Sequence, residues 1–146
     1  MKTKNSVNLS KGIFSGILLI AMLFLFDSCA RKIVFQSSSV VPAAEGTVKV
    51  TKDNNSNYAI HLQLSNLAEP EKLTPAMKTY VVWMETAQEN AKNIGQINSS
   101  TSLLSKRLKA SFETVSPVKP TKIFITAEDN ATVLYPGTVV LTTDNF

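Results

Sequence analysis

The stretch Thr79 to Thr86, TYVVWMET, decides how the rest of the chain is read. Five apolar residues follow one another from Tyr80 to Met84, with no polar position to make one side of a strand or helix wet. The run is short and rich in β-branched and aromatic side chains, which favours a strand over a helix. A strand with both faces apolar belongs in the middle of a sheet, covered on both sides.

Working outward, Lys92 to Asn98 (KNIGQIN) pairs back on this strand across a polar turn. Upstream, Val48 and Val50 alternate with Thr47, Lys49 and Thr51, and Tyr58, Ile60, Leu62 and Leu64 alternate with His61 and Gln63. Asp53-Asn54-Asn55-Ser56-Asn57 separates the two runs, so they predict a hairpin with an Asn-rich tip. Ser65 to Lys78, with two prolines, reads as a loop that crosses between sheets. Downstream, Ser105 to Val115 places Leu108, Ala110 and Phe112 inward and Arg107, Lys109, Ser111 and Glu113 outward, and Pro117 and Pro120 end it. Ser102 to Ala110 has fair helical propensity, yet the alternation predicts a strand there with at most one helical turn at its start. Thr121 to Ala127 and Thr138 to Thr142 complete the set, and Ile33 to Phe35 is a short candidate first strand. Seven to eight strands with regular turn signals predict an all-β fold, an immunoglobulin-like Greek-key β-sandwich.

The first 28 residues have a different character. Lys2, Lys4 and Lys11 precede an apolar stretch from Ile13 to Phe26. Fourteen residues as a helix span about 21 Å, short of the roughly 30 Å hydrocarbon core, so the stretch fits a signal-peptide helix better than a membrane span. The chain then divides into a signal peptide over 1–28, a flexible tether over 29–45 rich in Ser, Ala and Pro, and a β-sandwich domain over 46–146. The whole chain has 15 Lys/Arg and 11 Asp/Glu; without Lys2, Lys4, Lys11 and Asp27 these become 12 and 10, a net of +2. That surface has no long basic run, so no nucleic-acid partner is expected.

Phe26-Asp27-Ser28-Cys29 resembles the lipobox of bacterial lipoproteins, in which a small residue precedes a cysteine that is lipidated and becomes the new N-terminus. Ser28 and Cys29 match, while Phe26 and Asp27 depart from the strict Leu-Ala-type pattern and look like the relaxed boxes of Bacteroidetes-type lipoproteins. The resemblance implies an envelope lipoprotein anchored to a membrane by palmitate-type acyl chains on Cys29. Each buried CH₂ adds roughly 0.8 kcal/mol, so multiple acylation gives stable anchoring. Ala30-Arg31-Lys32 lacks the acidic residues that often follow the cysteine in surface-exported relatives, which points to the periplasmic side.

A second resemblance spans Tyr80 to Thr142, or 63 of 146 residues. Tyr80-Val81-Val82-Trp83, the Gly95 strand, Phe112, Ile123-Phe124-Ile125-Thr126-Ala127-Glu128 and Pro136-Gly137-Thr138 followed by Val139-Val140-Leu141 together resemble the extracytoplasmic C-terminal domain of anti-sigma-K-type factors. Those factors carry a cytoplasmic sigma-binding domain and a transmembrane helix; here a lipoprotein signal occupies that place. The resemblance therefore implies a periplasmic sensing or interaction module with no catalytic residues.

The candidate chemistry is sparse. Asp53 to Asn57 begins like a calcium loop, but Tyr58 and Leu64 stand where glycine and glutamate are needed, so a turn is the better reading. His61, Met77 and Met84 are types that soft metals accept, although strand phase turns His61 to solvent and Met84 toward the core. Neither a metal nor another cofactor is expected. One histidine, one cysteine (Cys29, taken by the anchor) and carboxylates Glu85, Glu113 and Glu128 on separate strands do not assemble an expected active site, so the chain is read as a non-enzyme. Trp83 with Tyr80 is a candidate aromatic platform for a sugar, with Glu85 on the Trp83 face as a further contact; core packing is the competing role for Trp83. The expected function is an envelope interaction module that contacts an unidentified protein or cell-wall polymer. The alternative is a periplasmic ligand or carbohydrate binder.

Overall fold

The computed structural model describes residues 32–97 and 109–146. The expected signal helix, Cys29 and most of the Ser102 to Ala110 stretch lie outside the described residues. Eight strands occur among those described: β1 (Lys32–Val34), β2 (Glu45–Lys52), β3 (Tyr58–Ser65), β4 (Thr79–Thr86), β5 (Lys92–Ile97), β6 (Lys109–Ser116), β7 (Pro120–Glu128) and β8 (Thr138–Thr142). A short 3-10 turn, Pro70–Lys72, sits in the β3–β4 connection. No helix of the described residues is long and apolar enough to cross a membrane.

The strands form two four-stranded sheets, β1-β2-β3-β6 and β5-β4-β7-β8, and every pairing is antiparallel. The chain is all-β and sandwich-like, as the alternating patterns predict. β2 and β3 form the expected hairpin in full register from Glu45–Ser65 to Lys52–Tyr58. At its tip the Asp53 carboxylate accepts the N–H groups of Asn55 and Asn57, each at 2.8 Å, so this acid closes a turn. β4 lies between β5 and β7, the central position that its composition demands.

One core fills the space between the sheets. Val48, Ile60, Leu62 and Leu64 enter it from the first sheet, and Tyr80, Val82, Met84, Ile123, Ile125 and Leu141 enter from the second. Each such apolar side chain stabilises the fold by roughly 1.5–3 kcal/mol on burial. Phe112 packs against this core from β6 and closes its flank over Gly95, whose φ is +140°. A Cβ at Gly95 would stand 2.8 Å from the Phe112 ring, so a side chain there is excluded by both backbone angle and space.

Two expectations are corrected. Residues 32–45 do not behave as the tether predicted over 29–45. β1 pairs with β2, then Phe35 bridges Thr143 and the Gln36 N–H donates to the Thr142 carbonyl at 2.8 Å. Val41 and Ala44 are buried, and Ser38 Oγ accepts the Val41 N–H at 2.9 Å. This segment starts on the edge of the first sheet, touches the edge of the second at Phe35 and Gln36 and returns to the first at Glu45, which clasps the sandwich; its Ser/Ala/Pro-rich composition hid these apolar anchors. Pro120 does not end a strand but begins β7, where it costs no ladder hydrogen bond.

Candidate functional site

The outer faces of the two sheets differ. On the β4–β7 side, Val81, Trp83 and Phe124 form a small apolar cluster of their own, separate from the inter-sheet core. Trp83 and Phe124 are register partners with nearly parallel rings, 6.1 Å between centroids and 8° between planes. The indole Nε1–H donates to Thr126 Oγ1 at 2.7 Å. The loop over 129–137 covers this cluster. Val133 packs on it, and Asn93 Nδ2 donates to the carbonyls of Ala131 at 2.9 Å and Val133 at 3.1 Å. At the far end of the loop, the Gly137 N–H donates to the Glu128 carboxylate at 2.7 Å. Trp83 is therefore fully buried, which explains why β4 is apolar on both faces.

The platform expected from Trp83 and Tyr80 is not assembled. Residues three apart on a strand point to opposite sides, and Tyr80 lies in the inter-sheet core while Trp83 lies beneath the 129–137 loop. The Tyr80 hydroxyl donates to the Ala68 carbonyl at 2.9 Å and holds the β3–β4 crossover down. Burial pushes the Tyr80 phenol up to about 12, because the phenolate would lose its water. Glu85 does share the Trp83 face. Its carboxylate pairs with Lys122 at 3.6 Å, both side chains being 31% exposed, and the Lys122 ammonium stands 5.9 Å from the centre of the Phe124 ring. That arrangement closes the rim of the aromatic cluster with charge.

The candidate metal ligands are also dispersed. His61 Nδ1 lies 3.2 Å from Glu113 on the outer face of the first sheet, whereas Met84 is in the core. Among the described residues, no group of three or more His, Cys, Asp or Glu side chains is placed to hold a metal ion.

The outer face of β1-β2-β3-β6 has no covering loop cluster like that over Trp83 among the described residues. Its residues are mostly polar, with Val34 and Val115 exposed among them, and stand in cross-strand rows: Lys32, Lys49, His61 and Glu113 form one, and Val34, Thr47, Gln63 and Ser111 form the next. Beyond them Glu45, Ser65 and Lys109 share a third row. Here a cleft of about 820 Å³ opens between the ends of the strands and the 35–37 segment. Gly46 is one of the lining residues, and a Cβ there would stand 3.0 Å from the Gln63 carbonyl oxygen and would collide with Leu64 Cδ2 on the core side. Among the described ion pairs, none involves Lys32, Lys49 or Lys109. The sequence reading missed this cleft, because ordinary polar side chains from four strands and one folded-back segment make it only after the sheet is built.

The cleft presents hydroxyls, amides and ammonium groups beside apolar Val34, Phe35, Pro42, Leu64 and Ala110, and its volume falls within the range of small-ligand sites, roughly 300–1,000 Å³. No protein-family model matches the chain, and neither the curated proteins nor the solved structures contain a match to it.

Proposed function

We propose that the chain is a non-enzymatic, membrane-anchored envelope lipoprotein whose sandwich acts as a periplasmic interaction or sensing module, with the outer face of β1-β2-β3-β6 as its contact surface. One observation carries this assignment of surface. On the opposite outer face the protein's own 129–137 loop buries Trp83, while among the described residues no such loop lies over the polar rows and the cleft of the first sheet. A polar face with scattered lysines matches the wet, hydrogen-bonding rim of reversible protein contacts rather than an obligate apolar interface.

The strand order supports the finer reading of the fold as an immunoglobulin-like Greek key. β6 returns to pair with β3, and β7 returns to pair with β4, so the chain crosses between sheets in place of simple meanders. The non-enzymatic reading draws on separation: the His61–Glu113 pair and Glu85 lie on outer faces of different sheets. Anchoring at Cys29, three residues before β1, would present the tethered end beside the proposed surface, since Lys32 lines the cleft.

Photo-crosslinking in the native envelope tests the proposal, with probes at Lys49, His61 and Lys109 and a Cys29→Ser variant as the mislocalised control. A discrete adduct from these positions that disappears in the variant is the expected result. An adduct from a probe at Tyr135, which is 83% exposed on the 129–137 loop, with none from the first sheet, would move the contact to the other side of the molecule.

A further inference from the structure

The cleft beside Gly46 has a chemistry that narrows its ligand, and we infer that it binds a segment of an acidic oligosaccharide. This rests on the reading of the first sheet as the contact surface and adds the ligand class. Thr47, Gln63 and Ser111 stand side by side across β2, β3 and β6, and Ser37 lines the cleft from the clasp segment beside Gln36, whose carboxamide N–H donates to the Asp144 carboxylate. Hydroxyls and carboxamides both donate and accept, which is what a ring of sugar hydroxyls needs.

The charge on the rim selects for acid. Lys32 and Lys109 line the cleft from β1 and β6, on either side of the β2–β3 hairpin. Neither ammonium has a carboxylate within 4.0 Å among the described ion pairs, and Lys49, beside Lys32 in the register, has none either. Glu45 is the one acidic residue among those described that line the cleft. β1 and β6 are three strand spacings apart, about 14 Å, and Lys109 stands four residues along β6 from the row of Lys32, so the two lysines reach carboxylates on different sugar residues rather than on one small anion. The aliphatic stem of Val34 and the ring of Pro42 supply the small apolar patches against which the C–H faces of a pyranose can rest.

The test is calorimetric titration of the full chain, held in non-ionic detergent micelles, with tetragalacturonate as the probe. Saturable binding is expected, weakened about tenfold or more by Lys32→Gln combined with Lys109→Gln, and unchanged by Lys92→Gln, a lysine outside the cleft that is placed next to Glu89. Blue Trp83 emission in each variant verifies that the fold is intact. The inference is overturned if there is no heat at millimolar probe. It is equally overturned if the Lys92 variant loses as much affinity as the cleft pair, if neutral tetragalactoside binds as well, or if tetraglutamate binds more tightly. A protein adduct at Lys49 or His61 with no uronate binding would sink the ligand class alone and leave the contact surface standing.

Discussion

Trp83 Nε1 donates to Thr126 Oγ1 at 2.7 Å on the outward side of a sheet, beneath a loop rather than between the sheets. An indole N–H buried without an acceptor is costly, so the threonine opposite Val81 in the register is what permits a tryptophan there. Emission from the single tryptophan is expected to be blue and resistant to acrylamide. Trp83→Ala should cost about 3–5 kcal/mol, and Thr126→Val about 1–3 kcal/mol by orphaning the indole donor. Urea denaturation of both variants measures this; red, freely quenched emission from the native protein would refute the burial.

Asn93 is the clamp on the covering loop, since one carboxamide satisfies two carbonyls of the 129–137 segment. Asn93→Ala is expected to cost about 1–2 kcal/mol and to raise acrylamide quenching of Trp83 while the inter-sheet core stays intact. Hydrogen exchange should rise at residues 131–133 and stay slow at Ile60 and Leu62. Equal acceleration in both places would mean that Asn93 supports the whole fold.

Glu85 and Lys122 form a pair whose members are each about one-third exposed, so water screens much of their attraction. A double-mutant cycle with Glu85→Gln and Lys122→Met should yield a coupling below about 1 kcal/mol. A much larger coupling would show that Glu85 is held more tightly than a solvated rim carboxylate and would renew its candidacy for chemistry.

Tyr80 makes stability sensitive to alkaline pH. Its phenol is pushed up to about 12 in the folded protein against 10.0 for the free group, because burial disfavours the phenolate. The folded state therefore holds the proton more tightly than the unfolded state. The resulting stability is fully present below pH 10 and is lost as pH rises through about 12. Urea midpoints measured across this window should fall, and the fall should shrink in Tyr80→Phe, which also gives up the bond to Ala68.

Gly46 tests the packing of the clasp. Gly46→Ala would drive a methyl group into Leu64 and to 3.0 Å from the Phe35 ring, so about 1–3 kcal/mol of destabilisation is expected. If thermal melting instead shows an unchanged midpoint, Phe35 and the clasp segment yield more readily than their burial implies.

Much of the fold could be read locally. The alternation of Ile60, Leu62 and Leu64 with His61 and Gln63 set a strand face, and the Asp53–Asn57 cluster set the turn that reverses it. The site was far less legible. Trp83 and Tyr80 looked like neighbours because they stand close in sequence, but strand geometry sends them to opposite faces. Gln36 to Glu45 looked like a tether because serine, alanine and proline fill six of its ten positions, although Val41 and Ala44 are buried.

By itself, the sequence determined the all-β class, the central place of β4 and the β2–β3 hairpin, because hydrophobic period and turn chemistry act over a few residues. Only the tertiary structure decided what covers the second face of β4 and which strands pair across long separations. Those outcomes depend on contacts such as Asn93 with Ala131 and Phe35 with Thr143, between groups whose separation along the chain carries no local signal.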